Sequence, residues 1–353
     1  MSTYSSLKIF GFDHVELAVE SLEPYLTLHL DLGFQKLSTR TNIERDLQSE
    51  LLIQNGMKVV LTHSKNDNDP VSQHVKKHGS GVFAVGYLCE DVYSVVEQCA
   101  SRGATVIESP KSTQRDSSSV VHATILIAGD IRHVLISRQG NLFAEGFEPT
   151  NATPLPGTGL MGIDHVTTNI ETAQISDWTT QYEKILGLIN TKTFDIHTRR
   201  SGLYSIVMES PDHTLKMPFN EPTDPKSQIQ EFLDINHGPG IQHLAMHTND
   251  IIRTVRQLRQ NGIEFLETPA SYYESIPSRV PNVEENLQEL AELGILVDGD
   301  QNGYILQIFT KNLIGPFFYE VIQRKGHLGF GEGNFQALFE AIERDQLKRG
   351  VLT

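Results

Sequence analysis

Two periodicities take turns along the chain. Short runs in which apolar and polar residues alternate, rich in Val, Ile and Phe, predict half-buried strands, and between them lie segments with apolar residues at helical spacing. GVFAVGYLCEDV from Gly81 and GIQHLAMHTNDI from Gly240 are glycine-led strands. Each precedes a helix-like segment ending on glycine, YSVVEQCASRG or RTVRQLRQNG, then a short strand, ATVIESP or IEFLETP, that proline closes. In LLIQNGMKVVLTH, Asn55-Gly56 separates two alternating runs, the mark of a tight hairpin and so of antiparallel pairing. The chain ends in GFGEGNFQALFEAIERDQLKRG, where Phe335, Leu338, Phe339 and Ile342 form one apolar stripe and Asn334 suits the N-cap of the helix.

The pattern repeats. Phe-Asp-His-Val at 12–15 returns as Ile-Asp-His-Val at 163–166, each after a glycine. The glycine-led strands, the helices after them and the proline-closed strands follow in the same order, and ILIAGDIRHVLISRQ at 125–139 is matched with ILVDGDQNGYILQIFTK at 295–311. Between the halves, about 145–160, lies EGFEPTNATPLPGTGL, a linker composition. Four βαβββ units paired into two domains of curled, mostly antiparallel sheet are the predicted α+β architecture: domain 1–150, and domain 158–353 with the C-terminal helix. A length of 353 residues also exceeds one ordinary hydrophobic core.

A formal net charge of −15 argues against a nucleic-acid surface, which needs clustered Lys and Arg. No apolar stretch of about 18 residues is present to cross a bilayer, and MSTYSSLKIFGFDHVE lacks the layout of a signal peptide. The two cysteines, Cys89 and Cys99, read as buried, reduced thiols, so a cytoplasmic location is expected.

Fourteen histidines are uninformative singly, but two occupy matching places in the repeat. His165 opens the third unit and His243 the fourth, and the interval from 165 to 243 is nearly equal to that from 243 to Glu320. Two imidazoles and a carboxylate form a facial triad suited to iron(II), with adjacent positions left for substrate and dioxygen. In PFFYEVIQR, alternation places Phe318, Glu320 and Ile322 on one buried strand face, where a carboxylate needs a metal or a cation; a Glu320–Arg324 ion pair is the competing reading. In the first half His14 matches His165, but Ala84 stands where His243 stands, and 125–148 offers no counterpart of Glu320. That half is read as a degenerate, structural copy. His247 is no ligand, because on a strand it lies about 13 Å from His243. Around the triad fall Gln307 and Phe309 on one face of YILQIFTK, Asn220 near Pro218 in KMPFNEP, Gln228 in KSQIQEF, and Ser205 in GLYSIVMES. These are amides and hydroxyls for a polar aromatic ligand, with phenylalanines to stack on its ring. GFGEGN at 329–334 has none of the context of a phosphate loop, and no Gly-x-Ser-x-Gly elbow occurs.

GIDHV, KMPFNEP with KSQIQEF, GPGIQHLAMHTNDI, GYILQIFTK, FFYEVIQRKGHLGFGEGNF and LFEAIERDQLKRGVL run from about residue 160 to the end. In that order they resemble the 4-hydroxyphenylpyruvate dioxygenase family of the vicinal oxygen chelate superfamily. The resemblance implies Fe(II) on His165, His243 and Glu320, an aromatic 2-keto acid and O2 as partners, and homogentisate as product in tyrosine catabolism. It implies Gln307 near the chelating end of the substrate and Ser205, Asn220, Gln228 and Gln242 at the phenol. Phe309, Phe318, Phe330 and Phe335 would wall the ring with Leu338 and Pro218, the last helix would act as a lid, and the chain would form dimers or tetramers. Gln242 fits this set badly, since strict alternation turns it away from the pocket unless a bulge intervenes. Hydroxymandelate synthase is the alternative, disfavoured by Pro218, where synthases tend to carry a small polar residue. A non-catalytic binding protein of the same fold is the other competing class.

Overall fold

The computed structural model describes residues 7–148, 151–198 and 201–350. The first half runs β1 (Ile9–Ala18), α1 (Glu23–Asp31), β2 (Gln35–Asn42), β3 (Leu47–Gln54), β4 (Met57–Ser64) and α2 (Pro70–His78). It continues with β5 (Gly81–Cys89), α3 (Val92–Ser101), β6 (Thr105–Arg115), β7 (Ser118–Leu126) and β8 (Arg132–Gln139). The second half repeats the plan with β9 (Leu160–Asn169), α4 (Ile175–Leu186), β10 (Ile189–His197), β11 (Gly202–Glu209), β12 (Lys216–Pro222) and α5 (Gln228–Asn236). There follow β13 (Gly240–Thr248), α6 (Ile251–Gln260), three short helices α7 (Ala270–Glu274), α8 (Ile276–Arg279) and α9 (Leu287–Leu293), then β14 (Leu296–Gly299), β15 (Tyr304–Phe309), β16 (Phe318–Lys325) and α10 (Glu332–Arg349).

Several helices start where a short polar side chain satisfies a free backbone N–H. Asp69, Asp91, Ser227, Asp250 and Asn286 cap α2, α3, α5, α6 and α9 in this way. The Asn55-Gly56 turn joins antiparallel β3 and β4, with Asn55 at φ 49°.

Each half is one eight-stranded sheet, ordered β2-β3-β4-β1-β5-β8-β7-β6 and β10-β11-β12-β9-β13-β16-β15-β14. The neighbours β1·β4 and β5·β8, and their counterparts β9·β12 and β13·β16, are parallel, while the other pairs are antiparallel. The paired βαβββ plan is thus realised twice, in identical strand order.

Three details of the sequence reading are corrected. Residues 125–139 form the end of β7 and β8, whose equivalents are β15 and β16; the matched run 295–311 is β14 and β15, one strand out of step. Similar hydropathy at neighbouring hairpins produced the slip. Pro110 does not end its strand, because β6 continues to Arg115 across a register shift between Glu108 and Lys111, where no ladder hydrogen bond is lost. IEFLETP shrinks to one bridge, Phe265 with Thr310, because α7 begins just after Pro269.

One apolar core extends through both halves and includes Val85, Tyr87, Trp178, Tyr182, Phe219 and Tyr319. Polar ties cross the same seam. His133 lies between the hydroxyls of Tyr87 (2.9 Å) and Tyr182 (3.0 Å), and the Tyr319 hydroxyl is 2.7 Å from His29 Nε2. Gln54 is wholly buried. Its Oε1 accepts from Thr158 Oγ1 and from the backbone N–H groups of Gly159 and Leu160, and its Nε2 donates to Leu32 O. This amide fixes the entry into β9. Gln54→Ala takes the side-chain acceptor from Leu160 N–H, while Gly159 N–H keeps Pro156 O, and is expected to cost about 1–3 kcal/mol, read as a lower urea midpoint. An unchanged midpoint would show that this junction adds nothing to stability.

Candidate metal centre

Strand register assembles the centre. In the second sheet β13 lies between β9 and β16, and Ala245 stands opposite both His165 and Glu320. His243, two residues before Ala245, falls on the same face. His165 Nε2 is 3.1 Å and His243 Nε2 3.5 Å from Glu320 Oε2. One ligand atom from each residue lies within 4.8 Å of the others, and all three residues are buried. Two imidazoles and one carboxylate converging at this spacing suit a divalent metal ion and leave coordination positions open.

Each histidine is oriented by the residue before it. His165 Nδ1 lies 2.9 Å from Asp164 Oδ1, and His243 Nδ1 lies 3.1 Å from Gln242 Oε1. With Nδ1 facing these oxygens, both imidazoles turn Nε2 toward Glu320, where a proton or a metal ion can join them to the carboxylate. Gln242 reaches this place because a β-bulge between Ile241 and His243 breaks the alternation. Asp164 is clamped by Arg324 through two bonds of 2.7 and 2.8 Å. Arg324 therefore pairs with Asp164, not with Glu320 as in the competing sequence reading. It also donates to the carbonyls of His327 and Gly329, tying down the segment before Phe330.

The electrostatics follow from burial and charge. For Glu320, burial alone would raise the pKa, but the charge of His165 and hydrogen bonds from both imidazoles hold it at about 2. His165 is buried, which disfavours its charged form, yet Glu320 and Asp164 raise its pKa above the ordinary value. His243 goes the other way, since its burial outweighs the attraction of Glu320. The carboxylate is acceptor-only, and Gln307 Nε2 donates to its Oε1 at 2.7 Å.

A cavity of about 30 Å³ lies beside the triad. His165, His243, Glu320 and Gln307 line one side, and Ser205, Pro218, Phe309, Phe330, Phe335 and Leu338 line the rest. Of the sequence candidates, Phe318 stands behind His243, stacked on it at 4.8 Å. Gln242 faces the outer nitrogen of His243. Asn220, paired with Ser205 across β11 and β12, and Gln228, at the start of α5, are buried but do not line the cavity.

Several participants escaped sequence reading. Thr167, Phe194 and Val207 also line the cavity. The alternation from His165 through Thr167 to Asn169 on β9 could have revealed the first. Asn334 is not an N-cap: α10 is capped at Gly331, and the Asn334 side chain turns inward to donate to Gln307 Oε1 at 2.7 Å. Thr167 Oγ1, Asn169 Nδ2, Ser205 Oγ, Asn220 Oδ1 and Gln228 Oε1 are buried with no hydrogen-bond partner in the protein.

The first half contains the frame without the ligands. His14 lies opposite Gly86, which in turn pairs with Val134, so Ala84 and Val134 occupy the places of His243 and Glu320. Asp13, His14 and Arg138 nevertheless repeat the Asp164–His165–Arg324 arrangement, with His14 Nδ1 2.6 Å from Asp13 and Arg138 bidentate on Asp13 at 2.5 and 2.6 Å.

Sequence models described as the Glyoxalase/Bleomycin resistance protein/Dioxygenase superfamily match residues 162–275 and, separately, 13–121. The chain is 39% identical to 4-hydroxyphenylpyruvate dioxygenase of Danio rerio, covering 98% of this chain and 93% of that protein. It is 37% identical to the enzyme of the same name from Pseudomonas aeruginosa, over 97% of this chain and 96% of that one. Among solved structures, a triple mutant of 4-hydroxymandelate synthase from Streptomyces coelicolor superposes with a TM-score of 0.85 at 28% identity, covering 96% of this chain and all of that one. The fold is that of the vicinal oxygen chelate superfamily.

A metal ion needs both Nε2 atoms free of protons, and the raised pKa of His165 sets where protons compete. Affinity for Co(II), followed by absorption titration, is expected to fall as pH drops from about 8 to below the ordinary imidazole value of about 6.5. Arg324→Leu, which releases Asp164, is expected to weaken Co(II) binding about 10–100-fold at constant pH. Wild-type affinity in that variant would remove the role given to the Asp164–Arg324 clamp.

Proposed function

The chain belongs to the 4-hydroxyphenylpyruvate dioxygenase family, and we propose that it converts 4-hydroxyphenylpyruvate and dioxygen to homogentisate and carbon dioxide. His165, His243 and Glu320 would hold iron(II) for this reaction. One observation carries the reading: three converging ligands share a concave face with a cluster of buried polar atoms that lack partners. Bound at the triad, iron(II) supplies a Lewis acid for the 2-keto acid and electrons for dioxygen.

The protein's own groups do the rest. The ligands come from β9, β13 and β16, while Ser205 and Asn220 come from β11 and β12 beyond β9. A ligand laid across the sheet therefore has its keto acid end at the triad and its phenol end at Ser205, Asn220 and Gln228. Their unpaired oxygens, with Asn169 Nδ2, offer both hydrogen-bond donors and acceptors to a hydroxyl. Phe309, Phe330 and Phe335 flank the ring and keep water out of the cavity. Gln307, fixed on Glu320, presents its amide beside the chelating end. In this reading residues 1–150 form a structural domain and 158–353 the catalytic one. With it goes a cytoplasmic homo-oligomer, dimer or tetramer; among the described residues no helix is long and apolar enough to cross a membrane.

Pro218 on the cavity wall favours ring over side-chain hydroxylation, because it presents an apolar surface to the substrate there. The reconstituted protein with 4-hydroxyphenylpyruvate is expected to consume O2 and yield homogentisate, identified by chromatography. Hydroxymandelate as the main product would overturn the assignment in favour of the synthase. Glu320→Ala is expected to reduce substrate-dependent O2 uptake to background, and undiminished uptake would sink the metal assignment.

A further inference from the structure

A chain of hydrogen bonds with one fixed direction ends on Glu320. Its carboxylate can only accept, so Gln307 must turn Nε2 toward it, as the 2.7 Å contact requires. Gln307 Oε1 is then left facing α10 and needs a donor, which Asn334 Nδ2 provides at 2.7 Å. Asn334 Oδ1 in turn needs a donor and meets the Tyr272 hydroxyl at 2.5 Å. That hydroxyl accepts from Val297 N–H at 2.8 Å, and its own proton is shared between Asn334 Oδ1 and Val297 O at 2.7 Å. Each amide orientation is dictated by the previous one, starting from an acceptor-only group.

We propose that Asn334 is a positioning residue: by pairing the Oε1 that Gln307 turns away from Glu320, it holds the Gln307 amide fixed in the one orientation the carboxylate accepts. Gln307 and Asn334 are both buried, at 3% and 0% exposure, so neither can replace its partner with bulk water. With Asn334 as donor, the NH2 group of Gln307 is directed at the triad, its first proton held by Glu320 Oε1 and the second available to an oxygen at the open coordination positions. Glu320 keeps Oε2 for the metal, the atom nearest both imidazoles. Without that donor Gln307 Oε1 is left buried and unpaired, and the amide loses the anchor that fixes its place beside Glu320.

The glycines of GFGEGN make the contact possible. A Cβ at Gly331 would meet Ile305 Cδ1 at 2.8 Å, Asp298 Cβ at 3.1 Å and Gln307 Oε1 at 3.3 Å. Gly331 adopts φ +67°, a left-handed conformation that side chains disfavour. Asp298 of β14 accepts from Gly333 N–H at 2.7 Å and anchors the first turn of α10. The bare backbone of this turn lets Asn334 come within reach of Gln307.

This inference rests on the metal-centre reading, and one titration series separates the two. Wild-type protein is titrated with Co(II) by absorption spectroscopy and assayed with 4-hydroxyphenylpyruvate at pH 8. Asn334→Asp keeps the shape but turns an acceptor toward Gln307, and Asn334→Leu removes the donor. Both are expected to bind Co(II) about 10–100-fold more weakly than wild type, with a shifted visible spectrum and a lower kcat. In a Gln307→Ala background the same Asn334 substitutions are expected to cost less than about twofold, because the group they act through is gone. No Co(II) binding by the wild type overturns the centre itself. Wild-type affinity, spectrum and kcat in both Asn334 variants, or an equal loss with and without Gln307, overturns the positioning role.

Discussion

A buried negative charge organises the second half of this protein. Glu320 is 1% exposed, and an isolated carboxylate at that depth would take up a proton rather than stay charged. The structure keeps it ionised with two imidazoles on Oε2 and an amide on Oε1. Those partners require supports of their own. Asp164 holds His165 and is itself held by Arg324, Gln242 holds His243, and Asn334 holds Gln307. Three strands, a bulge and the first turn of α10 are all placed around that one carboxylate.

The duplicated half shows which parts of this arrangement belong to the fold. Asp13, His14 and Arg138 persist, Arg138 stacks over Phe143 at 4.6 Å, and His14 meets that ring edge-on at 5.2 Å. Arg324 and His165 treat Phe330 similarly, at 5.6 and 5.0 Å. The aspartate, histidine, arginine and phenylalanine therefore brace the mouth of each sheet whether or not a metal site is present. Function needed only two further ligands, at the places that Ala84 and Val134 occupy in the first copy. In the first half Phe143, Phe147, Leu51 and Val60 pack together on the sheet instead.

The architecture was legible because strand alternation and the repeat are properties of sequence order, and the convergence of His165, His243 and Glu320 was legible because the repeat placed them. What the sequence hid was set by contacts between distant segments. The Asp164–Arg324 clamp joins residues on non-adjacent strands, and no local pattern announces it. Asn334 looked like a cap because its position before an apolar stripe is typical of one; tertiary demand from Gln307 overrode that preference. The bulge at Gln242 converted an apparent misfit of alternation into a support for His243. The one-strand slip between 125–139 and 295–311 arose because hydropathy alone does not distinguish consecutive hairpins of one meander.

The orphan polar atoms bear on specificity more directly than the triad does. A buried polar group without a partner costs about 1–3 kcal/mol, and a domain's net stability is only about 5–15 kcal/mol. Thr167 Oγ1 and Ser205 Oγ, on the cavity wall, are among the buried polar atoms without a partner in the protein, as are Asn169 Nδ2, Asn220 Oδ1 and Gln228 Oε1. In the proposed reading a hydroxyl at the far end of an aromatic ring both donates and accepts among them. A metal triad alone would accept many 2-keto acids. In the proposed reading an analogue without the hydroxyl leaves buried groups unpaired, and discrimination of that kind is far stronger than a hydrophobic pocket achieves by shape.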